Sequence, residues 1–138
     1  MMSYQEPGDD ALRRVLQESK TVAVVGLSNN PARPSYRVAS YLKGVGYRIV
    51  PVNPAVEEVL GEKAYPSLEE VPGRVDVVDV FRRSEEVPPV AEAAIRKGAR
   101  TLWLQEGIIN QAAADLAQQA GLFVVMDRCM LKEHARLL

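Results

Sequence analysis

The chain has 138 residues, of which 47% are hydrophobic and 25% are charged, and its formal net charge is −1. This length and composition indicate one globular domain with a buried core, and the near-neutral charge disfavours nucleic acid or an anionic membrane as the main partner. The single cysteine and single histidine exclude an internal disulfide and a zinc site built from these two residue types.

The N-terminal segment indicates a cytoplasmic protein that begins with a helix. Its first residues, MMSYQEPGDDALRR, lack the apolar core of a signal peptide, and every apolar run is far shorter than the ~20 residues that span a bilayer. Over residues 9–18 the spacing of Leu12, Val15 and Leu16 predicts a helix with one apolar face.

After this helix, short apolar runs alternate with helical patterns. The predicted strands are Thr21–Gly26, Tyr47–Val52, a short one near Lys63–Tyr65, Val75–Phe81, Thr101–Gln105 and Leu122–Met126. Most of the longer runs are nearly continuous in apolar residues, as in strands that are buried on both faces. This pattern predicts a parallel sheet whose strands are joined by helices.

The helical patterns between the strands carry end signals. In SEEVPPVAEAAIRKG, Ser84 is the predicted N-cap and Gly98 the C-terminal stop. In NQAAADLAQQAG, Asn110 is the predicted N-cap. The positions of that helix predicted to face the core are Leu116, Ala117 and Ala120. A last helix is predicted from Met130.

The predicted fold class is α/β, a single Rossmann-like domain over residues 1–138 with its core at residues 20–131. Its parallel sheet has five to six strands and helices on both faces, reached by right-handed crossovers. In such a sheet, ligands bind at the carboxyl ends of the strands, beside the point where strand order reverses. The predicted strand ends are rich in asparagine, arginine and amide groups, which favours a polar, anionic ligand.

Two common nucleotide motifs are missing from these strand ends. A dinucleotide-binding turn needs three spaced glycines and an acidic residue after the second strand, but the chain offers Gly26 alone and has Asn53-Pro54 at the acidic position. A Walker loop would need Gly-Lys followed by Ser or Thr, which is also absent.

The loop GLSNNPARPS can still hold a phosphate. Ser28, Asn29 and Asn30 carry side-chain donors, and backbone amides at the start of the following helix can form an anion-binding nest. Arg33 and Arg37 lie within reach of that helix start and can pair with phosphate. Spacing alone leaves a second interpretation open, in which the loop only caps the helix that begins near Ser35.

Six stretches together carry a more specific resemblance, namely VAVVGLSNNPARPSYRVASYL, GYRIVPVNP, GEKAYPSLEEVP, VDVVDVFRR, LWLQEGI and RCM. From Lys20 to about Leu131, the chain resembles the small stand-alone CoA-binding proteins. Their domain is similar to the N-terminal CoA-binding domain of the succinyl-CoA synthetase α subunit. The resemblance implies coenzyme A as the cofactor.

The resemblance also assigns residues to parts of the coenzyme. The turn around the pyrophosphate would be Gly26, Leu27, Ser28 and Asn29. The adenosine side would be bordered by Asn53 and Pro54, with Arg33 and Arg37 at the phosphates. The groove beside the cofactor would be lined by Phe81 and Arg82. The pantetheine arm would lie beside Gln105, Glu106 and Gly107, with Cys129 near its thiol end.

Two positions depart from the synthetase pattern. The loop lacks the synthetase's second glycine, and Arg128 replaces an asparagine, with no Pro-Gly after Cys129. Because Arg128 would favour the thiolate, we expect oxidised CoA to form a mixed disulfide with Cys129. His134 lies in the C-terminal tail and is expected to be an exposed surface residue. The synthetase's phosphorylated histidine belongs to a separate domain, so the resemblance does not give His134 that role.

The expected function is binding of CoA or acyl-CoA by a carrier, sensor or regulatory module. No complete catalytic set and no metal cluster can be read from the sequence, so we do not expect catalysis by the isolated chain. Two alternatives remain, namely a component of an acyl-CoA enzyme that needs a protein partner, and a degenerate NAD(P)-binding domain.

Overall fold

Alternating strands and helices make up most of the chain in the computed structural model, which describes residues 4–138. The helices are α1 (Asp9–Glu18), α2 (Pro34–Gly44), α3 (Val87–Lys97), α4 (Gln111–Gln119) and α5 (Met130–Leu137). The strands are β1 (Thr21–Val25), β2 (Arg48–Val52), β3 (Glu58–Val59), β4 (Glu62–Lys63), β5 (Val77–Val80), β6 (Thr101–Leu104) and β7 (Phe123–Val125). No helix in the described range is both long and apolar enough to cross a membrane.

Five of the strands form one parallel sheet in the order β2-β1-β5-β6-β7. The α/β, Rossmann-like prediction is therefore confirmed. From β1 the chain runs outward to β2, then returns to the other side of β1 to form β5. Strand order thus reverses between β1 and β5, which is where a sheet of this kind opens a crevice for a ligand.

The sheet separates two apolar clusters. Ala23 and Val25 of β1 face α3 and α4, whereas Val22 and Val24 face α1, α2 and α5. Helices cover both faces, so both sets of side chains are buried, which explains why the strand sequences are nearly continuous in apolar residues. Trp103 of β6, fully buried, lies in the second cluster.

Both edges of the sheet are covered. At the β7 edge, the Tyr4 hydroxyl donates to the Val124 carbonyl over 3.3 Å. At the β2 edge, the Tyr65 amide donates to the Pro51 carbonyl, and Tyr65 forms one parallel bridge with Val52. The short strand predicted near Lys63–Tyr65 is instead an antiparallel hairpin of β3 and β4, followed by this single bridge.

The predicted helix caps had mixed outcomes. Asn110 caps α4, because its Oδ1 accepts from the Ala113 amide at 3.0 Å, and Gly98 ends α3 at φ +76°. The N-cap predicted at Ser84 is wrong. Residues 84–86 form a 3₁₀ turn before α3, and the Ser84 hydroxyl accepts from the Ile109 amide instead.

The predicted inward face of α4 is also partly wrong. Leu116 is 43% exposed, and Ala120, which follows the helix, is exposed as well. The buried face consists of Ala113, Ala114 and Ala117. These small side chains belong to the same cluster as Ala91 and Ala94 of α3, so the two helices pack through alanines and leave the larger leucine outside.

His134 is not the exposed surface residue that the sequence suggested. It lies on α5 and is partly buried, and its Nδ1 shares a 2.9 Å hydrogen bond with the Tyr41 hydroxyl. The Tyr41 and Tyr47 rings contact its imidazole edge-on, with centroids 5.5 and 5.8 Å away. Partial burial disfavours the charged imidazolium and lowers the pKa of His134 below its usual value.

This environment predicts a stability that declines in acid. The folded state keeps His134 neutral, whereas the unfolded chain takes up a proton below about pH 6.5, so stability is lost as pH falls through this range. The difference between the melting temperatures of wild type and His134→Gln should therefore shrink as pH is lowered from about 7.5 to about 5.5. A constant difference between the two melting temperatures would contradict this view of His134.

Candidate functional site

A cleft of about 450 Å³ opens at the carboxyl ends of β1 and β5, where strand order reverses. Its walls come from the segment between β1 and α2, from the residues after β5, and from the loop after β6. The lining residues are Gly26, Ser28, Arg33, Pro34, Ser35, Phe81, Arg82, Arg83 and Ile108.

The N-terminus of α2 faces this cleft without a side-chain cap. Arg33 occupies the N-cap position with extended backbone angles, and its side chain accepts no bond from the helix. Pro34 at the first helical position has no N–H, and Ser35, which follows it, lines the cleft. The first-turn amides thus present the positive end of the helix dipole to the cleft, an arrangement that suits an anion.

The loop before α2 is shaped by its own polar side chains. The Ser28 amide donates to the Ser35 hydroxyl at 3.0 Å, and the Asn30 amide donates to the Ser28 hydroxyl at 3.0 Å. Asn30 in turn accepts from the Ala32 amide, while Asn29 is exposed. The Arg33 amide also has an acceptor, the Asn30 carbonyl at 3.0 Å. Four amides of this segment are thus engaged, whereas the first-turn N–H groups of α2 have no partner within the helix and can bind a ligand.

Arginine side chains surround the mouth of the cleft. Arg33 and Arg82 line it, and neither side chain has a hydrogen bond or ion pair to any residue in the 4–138 range. Arg83 is engaged with Glu86 at 3.4 Å. Arg37 lies outside the lining and donates to the Ala32 carbonyl. Two unpaired guanidinium groups therefore add positive charge beside the open helix terminus.

Asn53 holds the first loop in place. Its Nδ2 donates to the Leu27 carbonyl at 3.1 Å, and its Oδ1 accepts from the Ala55 amide at 2.9 Å. The Leu27 side chain is fully buried, so this residue can face a ligand only through its backbone. Asn53 and the exposed Pro54 lie at the end of β2 but do not line the cleft.

The three residues after β6 point in different directions. Gln105 is buried and donates to Asp79. Glu106 is exposed and pairs with Lys132 at 3.0 Å. The Gly107 amide donates to the Asp127 carboxylate at 2.7 Å. Ile108, the next residue, is the one that reaches the cleft.

Cys129 lies at the N-cap position of α5 and is half-buried. It is not among the residues that line the cleft. Its reaction with oxidised CoA stays a prediction. In the described part of the chain, no group of three His, Cys, Asp or Glu side chains could hold a metal ion.

Sequence reasoning missed several residues that shape the site. Pro34, Ser35, Arg83 and Ile108 line the cleft but were not among the predicted ligand-binding residues. Arg83 could have been found from its place in the FRR run after β5. No sequence signal marks Ile108, because its contact depends on how the loop after β6 turns.

Asp79 is the second kind of residue that was missed, a carboxyl group inside the sheet. It is fully buried in β5, its Oδ1 accepts from Gln105 Nε2 at 2.5 Å, and its Oδ2 has no partner among the described residues. Burial raises its pKa to about 7. An acid within the apolar run VDVVDVF was the visible signal.

A family model described as the CoA binding domain matches residues 20–135. The chain belongs to this family. The resemblance drawn from the sequence motifs is thereby confirmed.

Relatives of this CoA-binding domain include both small and large proteins. The Bacillus subtilis protein YneT is 44% identical over 131 residues, which are 95% of this chain and 97% of that protein. The α subunit of the ADP-forming acetate–CoA ligase II of Pyrococcus furiosus is 47% identical over 129 residues. That match covers 84% of this chain but only 28% of the ligase subunit. The chain is therefore homologous to one part of a larger enzyme subunit.

A solved structure has the same fold over its full length. A protein from Pyrococcus horikoshii OT3 is 40% identical and superposes with a TM-score of 0.93, covering 99% of both chains. The CoA-binding domain of this chain is thus a single Rossmann-like unit of a kind that is found on its own in that structure.

At Gly26 the backbone passes close to the Phe81 carbonyl, so a side chain at this position should destabilise the fold. The φ of Gly26 is +88°, and a Cβ added there would lie 2.3 Å from the Phe81 carbonyl oxygen. Gly26→Ala should therefore lower the free energy of unfolding by at least about 3 kcal/mol in denaturant titrations. Gly44→Ala is the control, since nothing lies within 4 Å of its added Cβ. Equal stability of the two variants would show that β1 and β5 do not approach so closely.

Asp79 generates a further prediction. The folded state holds its proton up to about pH 7, whereas the unfolded chain loses it near pH 3.8, so this contribution to stability is lost as pH rises through about 7. Asp79→Asn keeps an acceptor for Gln105 and carries no charge. Relative to wild type, its melting temperature should rise by roughly 5 °C between about pH 5 and about pH 8. If the melting temperatures of the two proteins change in parallel with pH, Asp79 does not hold this proton.

Proposed function

We propose that the chain binds CoA or acyl-CoA in the cleft at the carboxyl ends of β1 and β5, as a carrier, sensor or regulatory module. The observation that carries this proposal is the start of α2, which has no side-chain cap and opens on a cleft of about 450 Å³. Arg33 and Arg82 line the same cleft, and neither side chain has a partner among the described residues. Membership of the CoA-binding domain family supports the choice of ligand.

The pyrophosphate of the coenzyme would occupy the start of α2. Ser35 and the next amide of the first turn lie where anionic oxygens can accept from N–H groups, and Arg33 and Arg82 can pair with the remaining charge. Phe81 and Ile108 offer apolar surface beside this point. They would contact the first part of the pantetheine arm.

The side chains around the cleft are suited to binding. Among residues 4–138 its lining consists of serines, arginines, glycine, proline and apolar groups, and no carboxylate, imidazole or thiol belongs to it. The lining therefore holds an anion and supplies no general base of these types. This composition favours a module that presents or senses the coenzyme over a self-sufficient enzyme.

A second candidate function is a partner-dependent component of an acyl-CoA enzyme. It rests on the homology to the α subunit of the Pyrococcus furiosus acetate–CoA ligase, of which this chain spans 28%. In that case the missing catalytic groups would come from another protein. A stable complex with a partner, and CoA-ligase activity of that complex alone, would support this candidate.

Isothermal calorimetry tests the main proposal. CoA should bind at least tenfold more tightly than NAD, and Arg82→Gln should weaken CoA about tenfold, because it removes a charge-assisted bond to phosphate. Arg14→Gln is the matched control, since Arg14 is an exposed arginine of α1 whose side chain has no hydrogen bond or ion pair to residues 4–138.

NAD that binds as tightly as CoA would overturn the assignment and favour the degenerate NAD(P)-binding domain. If Arg82→Gln and Arg14→Gln lose CoA affinity equally, the overall positive charge of the protein, and not the cleft, attracts the coenzyme. Normal CoA binding by Arg82→Gln would place the phosphates elsewhere on the molecule.

A further inference from the structure

A second cleft, of about 260 Å³, opens at the same carboxyl edge of the sheet. Its apolar wall includes Val25 and Val52 at the ends of β1 and β2, Leu68, and Ala93 of α3. All four belong to the apolar cluster on the α3 and α4 face. The first cleft is built instead around the start of α2, a helix that packs on the other face of the sheet.

Arg82 lines both clefts. It directly follows the strand end at which order reverses, and its side chain has no partner within the described range. A long ligand with phosphates at its centre can therefore pass from one cleft to the other beside this arginine. CoA has this form, with adenosine on one side of its pyrophosphate and pantetheine on the other.

The charges around the clefts distinguish the two ends of the coenzyme. Near Ile108 of the first cleft, the loop after β6 carries Glu106, and Asp127 binds its Gly107 amide. The Asp127 carboxylate would repel a phosphate but not the uncharged pantetheine, whereas the charge of Glu106 is offset by Lys132 at 3.0 Å. The charged side chains that line the second cleft are Arg82, Arg96 and Glu69. A flat purine fits its apolar wall, and a phosphate fits its arginines.

Arg96 is available for such a phosphate at little cost. Its Nη2 lies 3.1 Å from Glu69 Oε2, and the two side chains are 59% and 54% exposed. An ion pair this exposed contributes only about 0–1 kcal/mol. A phosphate dianion can therefore replace Glu69 as the partner of Arg96, while the neighbouring carboxylate of Glu69 opposes its approach.

We propose that the second cleft takes the adenosine end of the coenzyme and that Arg96 binds its 3′-phosphate. This inference rests on the proposed function and adds that the site selects its ligand by the 3′-phosphate. The 3′-phosphate is what CoA has and dephospho-CoA lacks. Arg96 is accordingly a specificity-determining residue, and Glu69 weakens the same interaction.

Calorimetry with CoA and dephospho-CoA tests the inference. Wild type should prefer CoA by about tenfold, and Arg96→Gln should weaken CoA by a similar factor while leaving dephospho-CoA unchanged. Glu69→Gln should tighten CoA by about threefold without affecting dephospho-CoA. Arg100→Gln is the matched control, because Arg100 forms a comparable pair with Glu18 at 2.9 Å near the opposite edge of the sheet.

The possible failures are distinguishable. If wild type binds neither compound, the proposed function itself is wrong. If wild type binds both and Arg96→Gln lowers both equally, or neither, then Arg96 does not contact the 3′-phosphate and the inference fails while CoA binding stands. Adenosine 3′,5′-bisphosphate provides an independent probe, since its affinity should fall in Arg96→Gln and that of 4′-phosphopantetheine should not.

Discussion

The contact between the Gly26 backbone and the Phe81 carbonyl fixes the geometry on which the cleft depends. The Gly26 amide donates to the Val52 carbonyl and the Phe81 amide donates to the Val25 carbonyl, each at 2.8 Å. Backbone pairing thus continues to the rim of the sheet, after which the chains diverge. Since only glycine fits this approach, the residues beyond it begin their loops from a fixed point.

Polar residues near this rim fall into two groups with different roles. Ser28, Asn30 and Asn53 use their side chains to satisfy loop backbone groups, and so they shape the site from within. Arg33 and Arg82 have no such partners in the described chain and face the cleft. The first group orders the loop before a ligand arrives, which lowers the entropic cost of binding, while the second supplies the charge that attracts it.

Much of this fold was predictable from the sequence, but the division of roles at the site was not. Strand positions follow from runs of apolar residues that two helical layers must bury. Leu116 and Ser84 were misjudged because helical spacing does not reveal that α3 and α4 pack through alanines, or that Ser84 binds a distant amide. The sequence likewise indicated polar strand ends, but which asparagine binds its own loop depends on partners that only the folded chain brings together.

Asp79 shows how the same edge can contain an acid and still attract an anion. It stands two residues before Phe81 on the strand that ends at the cleft, and an ionised carboxylate there would oppose a phosphate above it. Burial without a cationic partner raises its pKa to about 7, so the uncharged acid beside Gln105 predominates only below about pH 7. A protonated Asp79 adds no negative charge that would offset the positive potential of the α2 terminus and of Arg82. Because linkage is reciprocal, an anion bound at the rim would raise this pKa further and strengthen the hold on the proton.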